Sequence, residues 1–142
     1  MVHPGAITAV ALLVANDHWG KAAWPGVVTG KVSDFAGLAF FPLFLQGLVE
    51  VGGGPVSRRV LAGACVATAT VFAAVKVSAG AGLAWAWALG ALQWPFLAGW
   101  AAAQGEAVPA VRAVRHMVDP TDLVALPAVL LAWWWGRSRP TA

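Results

Sequence analysis

Three short stretches of an otherwise apolar chain hold side chains able to carry charge or move a proton. Asn16-Asp17-His18-Trp19-Gly20-Lys21 sets an acid, an imidazole and an amine about one helical turn apart. Histidine titrates near neutral pH, so this group could relay a proton or hold a polar ligand. Val28-Thr29-Gly30-Lys31-Val32-Ser33-Asp34 adds a second amine and a second acid. Arg112-Ala113-Val114-Arg115-His116-Met117-Val118-Asp119-Pro120-Thr121-Asp122 supplies two more acids beside a histidine. Lys76 stands alone at the end of an apolar run. Ionisable groups near lipid are costly unless they are paired or functional. Asp17, His18, Lys21, Lys31, Asp34, Lys76, Asp119 and Asp122 are therefore the candidate cluster, expected to converge on one membrane face as a charge-compensated site.

Each stretch also has a purely structural reading. Charges at the end of a span anchor it at the interface, and a lysine such as Lys76 can snorkel there. Ser33 suits a helix N-cap, and Asp34 in the following turn would oppose the positive helix end. Asp119 as N-cap, Pro120 at the first helical position and Asp122 just inside specify another helix start. Glu50 precedes the Gly52-Gly53-Gly54-Pro55 turn and is expected to be wet. Gly26 and Gly30 before Lys31 do not make a phosphate loop, because the spacing is short and Val32 stands where a hydroxyl must hold magnesium. His18 and His116 lack a CxxCH or HExxH context and a second paired ligand, so no metal or cofactor is expected.

The elements that must position these residues follow from composition. Of 142 residues, 60% are hydrophobic and only 11% are charged, and mean hydropathy is +0.74. Soluble domains carry roughly 25% charged residues, so membrane solvent is the simpler account of this chain. Its net charge of +3 is scattered, with no basic stripe, which argues against nucleic acid as a partner. Cys65 is the only cysteine, so no intramolecular disulfide can form. The apolar runs lack strand alternation, and an open sheet cannot persist in lipid. The expectation is an all-α integral membrane protein forming a single domain over 1–142. Its spans fall at approximately 3–18, 34–52, 58–76 and 120–136. Residues 83–103 are either a fifth span or an interfacial or re-entrant helix, because Trp85, Trp87, Trp94 and Trp100 prefer the interface.

Four crossings would put both termini and Arg58-Arg59 on the cytoplasmic side and gather the polar stretches on the outer face. Five would separate the last stretch from the first two. Trp133-Trp134-Trp135 before Arg137 reads as an aromatic belt with a basic stop.

Asn16-Asp17-His18 with Lys21, then Thr29-Gly30-Lys31-Val32-Ser33-Asp34-Phe35-Ala36-Gly37-Leu38, resembles a motif of small, uncharacterised bacterial multi-pass membrane proteins. Leu89-Gly90-Ala91-Leu92-Gln93-Trp94-Pro95 and Asp119-Pro120-Thr121-Asp122-Leu123-Val124-Ala125-Leu126-Pro127 are similar to later stretches of the same group. The resemblance covers most of the chain and implies membrane residence without an activity. A fainter likeness is to VanZ-like envelope proteins, through the aspartates before the final span; Lys76 stands where that family has a Glu-and-Gln pair, so no role is carried over.

The sequence thus points to a multi-pass protein of the bacterial inner membrane. Its expected role is that of an accessory or envelope-associated factor using a polar face, rather than an enzyme. Its partners would be the lipid bilayer and a membrane protein or second copy of itself. A small carrier or ion-conducting protein is the alternative, and a membrane-embedded enzyme using His18, Asp34 and Asp119 or Asp122 is the third reading.

Overall fold

Proline and glycine punctuate this chain, and helices fill the intervals between them. The computed structural model describes residues 4–24 and 26–137, excepting the side chains of Lys21 and Val27. Helix α1 (Pro4–Ala15) opens on a proline, continues through a π-helical turn at Asn16–Gly20 and ends in the short α2 (Lys21–Ala23). Helix α3 (Val27–Val51) and helix α4 (Arg58–Val77) are separated by the glycine turn. Helix α5 (Ala79–Ala103) is followed by the irregular segment 106–119. A 3-10 helix (Pro120–Ala128) then leads into α6 (Val129–Arg137). No residue among those described is in a strand.

Local chemistry sets the boundaries. Gly53 ends α3 with φ +83°; Gly54 N–H donates to Val49 O at 2.8 Å and Gly53 N–H to Glu50 O at 3.1 Å. This pair of bonds satisfies carbonyls the helix would otherwise leave open. The same device closes α5, where Gly105 has φ +72° and Glu106 N–H donates to Ala101 O at 2.9 Å. Ser57 Oγ accepts from Val60 N–H at the start of α4, and Ser78 Oγ accepts from Ala81 N–H at the start of α5. Pro127 lies inside the 3-10 stretch, where a residue without an N–H cannot extend an α ladder.

Two boundaries differ from expectation. Helix α3 begins at Val27, two turns earlier than 34, so Ser33 and Asp34 lie inside the helix and Ser33 is not its N-cap. The reason is that the Ser33 hydroxyl is engaged by another segment, as set out below. Helix α5 begins at Ala79, directly after the Ser78 cap.

Among the described residues, the helices long and apolar enough to cross a membrane are Val28–Val51 and Arg58–Val77, with mean hydropathies of 1.6 and 2.0. Only 33% and 28% of those stretches is buried within the protein. Outward-facing side chains such as Phe41, Phe44, Leu48, Val66 and Val71 give both helices exposed apolar faces.

The chain divides into two compact units, one of 1–72 with 121–142 and one of 73–120. The first has a core of small and branched residues: Ala6 and Ala9 from α1, Leu38, Ala39 and Leu43 from α3, Leu61 and Cys65 from α4, and Ala125, Ala128, Val129 and Ala132 from the last helical segment. Small residues at these positions let the helix backbones approach closely. A Cβ on Gly5 would stand 2.5 Å from the Trp135 indole, and one on Gly136 would stand 2.6 Å from Leu61 Cδ2 and 3.0 Å from Leu43 Cδ2. The second unit comprises the end of α4, α5 and the irregular segment.

Candidate functional site at the helix ends

Thr29 and Ser33 are four residues apart on α3 and therefore share one face. That face meets the π turn. Asn16 is buried there, and its Nδ2 donates to Thr29 O at 2.6 Å and to Ser33 Oγ at 2.8 Å. Ser33 Oγ in turn donates to Asp17 Oδ1 at 2.6 Å. Adjacent residues of a helix point in different directions, yet Asn16 and Asp17 both reach Ser33 from within the π turn, a distortion often found at functional positions. The Thr29 hydroxyl closes the arrangement by donating to Trp24 O at 3.1 Å and Gly26 O at 3.0 Å. Gly20 is small by necessity, since a Cβ there would lie 2.6 Å from Asn16 Oδ1.

Lys31 lies between Thr29 and Ser33 in sequence and so projects from the other side of α3, about 200° around the axis. Its Nζ donates to Asp122 Oδ1 at 2.9 Å and to Thr121 Oγ1 at 2.9 Å. Both partners of the ion pair are largely shielded, at 24% and 13% side-chain exposure. The first turns of α3 are thus gripped on both sides, by the end of α1 and by the start of the 3-10 helix. Asp17 and the Lys31–Asp122 pair engage the same turns of α3 from two different sides. Leu43, Leu61 and Gly136 meet toward the other end of α3.

The remaining candidates are placed differently. Asp34 is half-buried, one turn after Lys31 and on the same side by spacing. His18 is exposed, and its Nδ1 lies 3.0 Å from Val14 O. A carbonyl only accepts, so this bond requires a proton on Nδ1. Lys76 and Asp119 are half-buried and belong to the second unit. The side chain of Lys21 lies outside the described residues. Among the described residues, no group of three or more His, Cys, Asp or Glu side chains has the arrangement to hold a metal ion. Asn16 and Thr121 stand beside candidate residues in the sequence but carry no charge to mark them, and the local signal at Ser33 is that of a cap. The signal that could have found them is the i, i+4 spacing of Thr29 and Ser33 opposite an asparagine at a helix end.

The second unit has its own construction. Gly82, Ala86 and Gly90 form a buried strip at four-residue spacing on α5, and segment 106–119 runs back along it. His116 Cδ2 lies where a Cβ on Gly82 would approach within 2.8 Å. Val114 N–H donates to Ala86 O at 3.0 Å. The Arg112 carbonyl occupies the space beside Gly90. One turn further, Trp94 Nε1 donates to Pro109 O at 2.7 Å. The registers match because four residues of helix advance about 6 Å and two residues of extended chain about 6.6 Å. At the far end, His116 Nε2 donates to Val75 O at 3.0 Å, which returns the chain to the end of α4.

No family model matches this chain, and no curated protein or solved structure shows similarity to it.

Proposed function

We propose that this chain is a four-crossing protein of the bacterial inner membrane, of the small multi-pass group its motifs resemble. Its role in this reading is that of an accessory factor that works by binding rather than by turnover. The crossings are α1 with its π turn, α3, α4 and residues 120–137. The observation that supports binding over chemistry is how the polar helix ends are used. Asn16, Ser33 and Asp17 form one hydrogen-bonded chain, and Lys31 is engaged with Asp122 and Thr121. Side chains committed in this way lock three segments together and present a rigid, charge-compensated face. They are poorly disposed to act as a base or nucleophile, which needs a partner in a cavity.

The even number of crossings is supported by the second unit. Helix α5 leaves the end of α4, and segment 106–119 comes back to Val75. Such an excursion begins and ends on one side of the bilayer. An irregular backbone of this kind is not tolerated facing lipid, whereas Trp87 and Trp100, exposed on α5, suit the interface. Both termini and Arg58-Arg59 are then cytoplasmic, and the polar ends are outside.

Cysteine accessibility tests the arrangement. In a Cys65→Ala background, single cysteines replace His18, Arg115 and Thr141, and intact cells receive a membrane-impermeant maleimide. Labelling at 18 and 115 but not at 141 is the expected result. Labelling at 18 and 141 but not at 115 would mean five crossings and would sink the shared face.

A second reading, a small carrier or ion conductor, draws on two other atoms. Gln46 Oε1 on α3 and Thr68 Oγ1 on α4 are buried without a hydrogen-bond partner among the described residues. Polar atoms held dry in this way are costly, and a transported ion or water file would satisfy them. Flux measured in proteoliposomes separates the readings: Gln46→Leu abolishes it in a carrier, whereas in an accessory protein there is none to abolish.

A further inference from the structure

Resting on the membrane placement proposed above, we infer that Arg58 and Arg59 form a binding site for a phosphate-diester group, the headgroup of an anionic phospholipid. The turn between α3 and α4 leaves an open cavity of about 670 Å³ lined by Pro55, Ser57, Arg58 and Arg59. Both arginines are exposed, and neither guanidinium meets a carboxylate among the described residues. Two adjacent uncompensated guanidinium groups in a chain with only six acids form a concentrated positive site. Guanidinium matches phosphate through paired N–H donors.

The start of α4 contributes little itself, because Ser57 Oγ already accepts from Val60 N–H and Ser57 O from Leu61 N–H. The cavity and the arginine pair therefore make the site. Its surroundings favour a lipid as the source of the phosphate. Leu48 and Val51 at the end of α3 are 53% and 89% exposed, and Val66 on α4 is 66% exposed. Acyl chains would lie along these faces while the headgroup occupies the cavity. In the proposed topology this is the cytoplasmic leaflet, whose anionic lipids attract basic groups next to a span.

The experiment uses the full chain, purified in mild detergent and in vesicles of phosphatidylcholine with or without phosphatidylglycerol. Native mass spectrometry reads lipid retained, and inorganic phosphate is titrated separately as competitor. Wild type is expected to retain phosphatidylglycerol over phosphatidylcholine. Arg58→Gln/Arg59→Gln should weaken that retention roughly 25-fold, from the ordinary contribution of an arginine at an anionic surface. Arg112→Gln/Arg115→Gln removes the same charge from exposed positions outside the cavity and away from that leaflet and should change retention little. Displacement of lipid by millimolar phosphate, with the same dependence on Arg58 and Arg59, would support the phosphate chemistry and assign its source to the free ion. Equal losses in both double variants, or none in either, would overturn the site. Both substituted positions are exposed, so helicity should be unchanged, and circular dichroism checks this. Extraction of wild type by alkaline carbonate would instead overturn the membrane placement, a result independent of the arginines.

Discussion

Substituting Asn16 tests whether the polar helix ends are a lock. Thr29 O can only accept, so the atom 2.6 Å from it is the Asn16 amide nitrogen, and Ser33 Oγ accepts a second bond from that nitrogen while giving its own proton to Asp17. Asn16→Ala removes two hydrogen bonds but orphans neither partner: Ser33 keeps its bond to Asp17, and Thr29 O remains within a helix. At about 0.5–1 kcal/mol per bond in apolar surroundings, the loss is about 1–2 kcal/mol. Asn16→Asp keeps the shape yet sets a carboxylate oxygen against the Thr29 carbonyl, close to Asp17. An uncompensated buried charge costs about 3 kcal/mol or more.

The isosteric change should therefore be the worse one, by roughly a factor of five or more in the unfolding equilibrium. Equilibrium unfolding in mixed micelles, followed by far-UV circular dichroism, gives the ranking. The introduced carboxyl regains a donor when protonated. Its deficit should therefore narrow as pH falls. If Asn16→Asp matched wild type, or was milder than Asn16→Ala at neutral pH, the buried-donor reasoning would be refuted.

Three further outcomes follow from the packing. A double-mutant cycle of Lys31→Met and Asp122→Asn should return a coupling of about 0.5–1 kcal/mol, since the pair is shielded but not fully dry; a coupling near zero would remove the ion pair from the account of how α3 is held. Gly90→Ala places a methyl where the Arg112 carbonyl sits, so limited proteolysis between 106 and 119 should quicken several-fold. Helicity should hold or rise, because alanine favours a helix by about 1 kcal/mol over glycine; unchanged protection would show that the segment does not depend on this contact. Gly136→Ala brings a Cβ within 2.6 Å of Leu61 Cδ2 and should cost about 1–3 kcal/mol in the same micelle assay, an expectation that fails if stability is untouched.

The helices themselves were legible because they depend on local chemistry. The glycines at 52–54, the serines at 57 and 78 and the proline at 120 mark boundaries that any neighbour would respect. Ser33 shows where local reading stops. A serine followed by an acid is a sound cap signal, but capping competes with whatever else can reach the hydroxyl. Here Asn16 and Asp17 reach it from another segment, and the helix runs on through Ser33 to begin at Val27. The same applies to the candidate acids and bases. Their residue types marked out Asp17, Lys31 and Asp122 as belonging to helix ends, yet pairing partners are a tertiary property. Nothing near Lys31 in sequence favours Asp122 over Asp34 or Asp17.

Residues 83–103 were ambiguous for a related reason, and what surrounds them was not readable from their own composition. Hydropathy weighs each side chain against lipid, and by that measure tryptophans and glycines compete within one helix. It does not ask what another stretch of chain would require of the helix surface. Segment 106–119 requires a strip without side chains, and Gly82, Ala86 and Gly90 supply it at the spacing that an extended backbone can follow. Small residues at that interval ordinarily signal another helix packed close. Here the Trp94 indole N–H bound to Pro109 O, Val114 N–H bound to Ala86 O and the His116 ring beside Gly82 fill the strip with the chain's own return path. With that strip occupied, the apolar side chains of α5, Leu83, Trp87, Leu92, Phe96 and Trp100 among them, are left exposed around the rest of its surface. What the occupied strip excludes is a second helix packed there, the partner that small residues at this interval would otherwise invite.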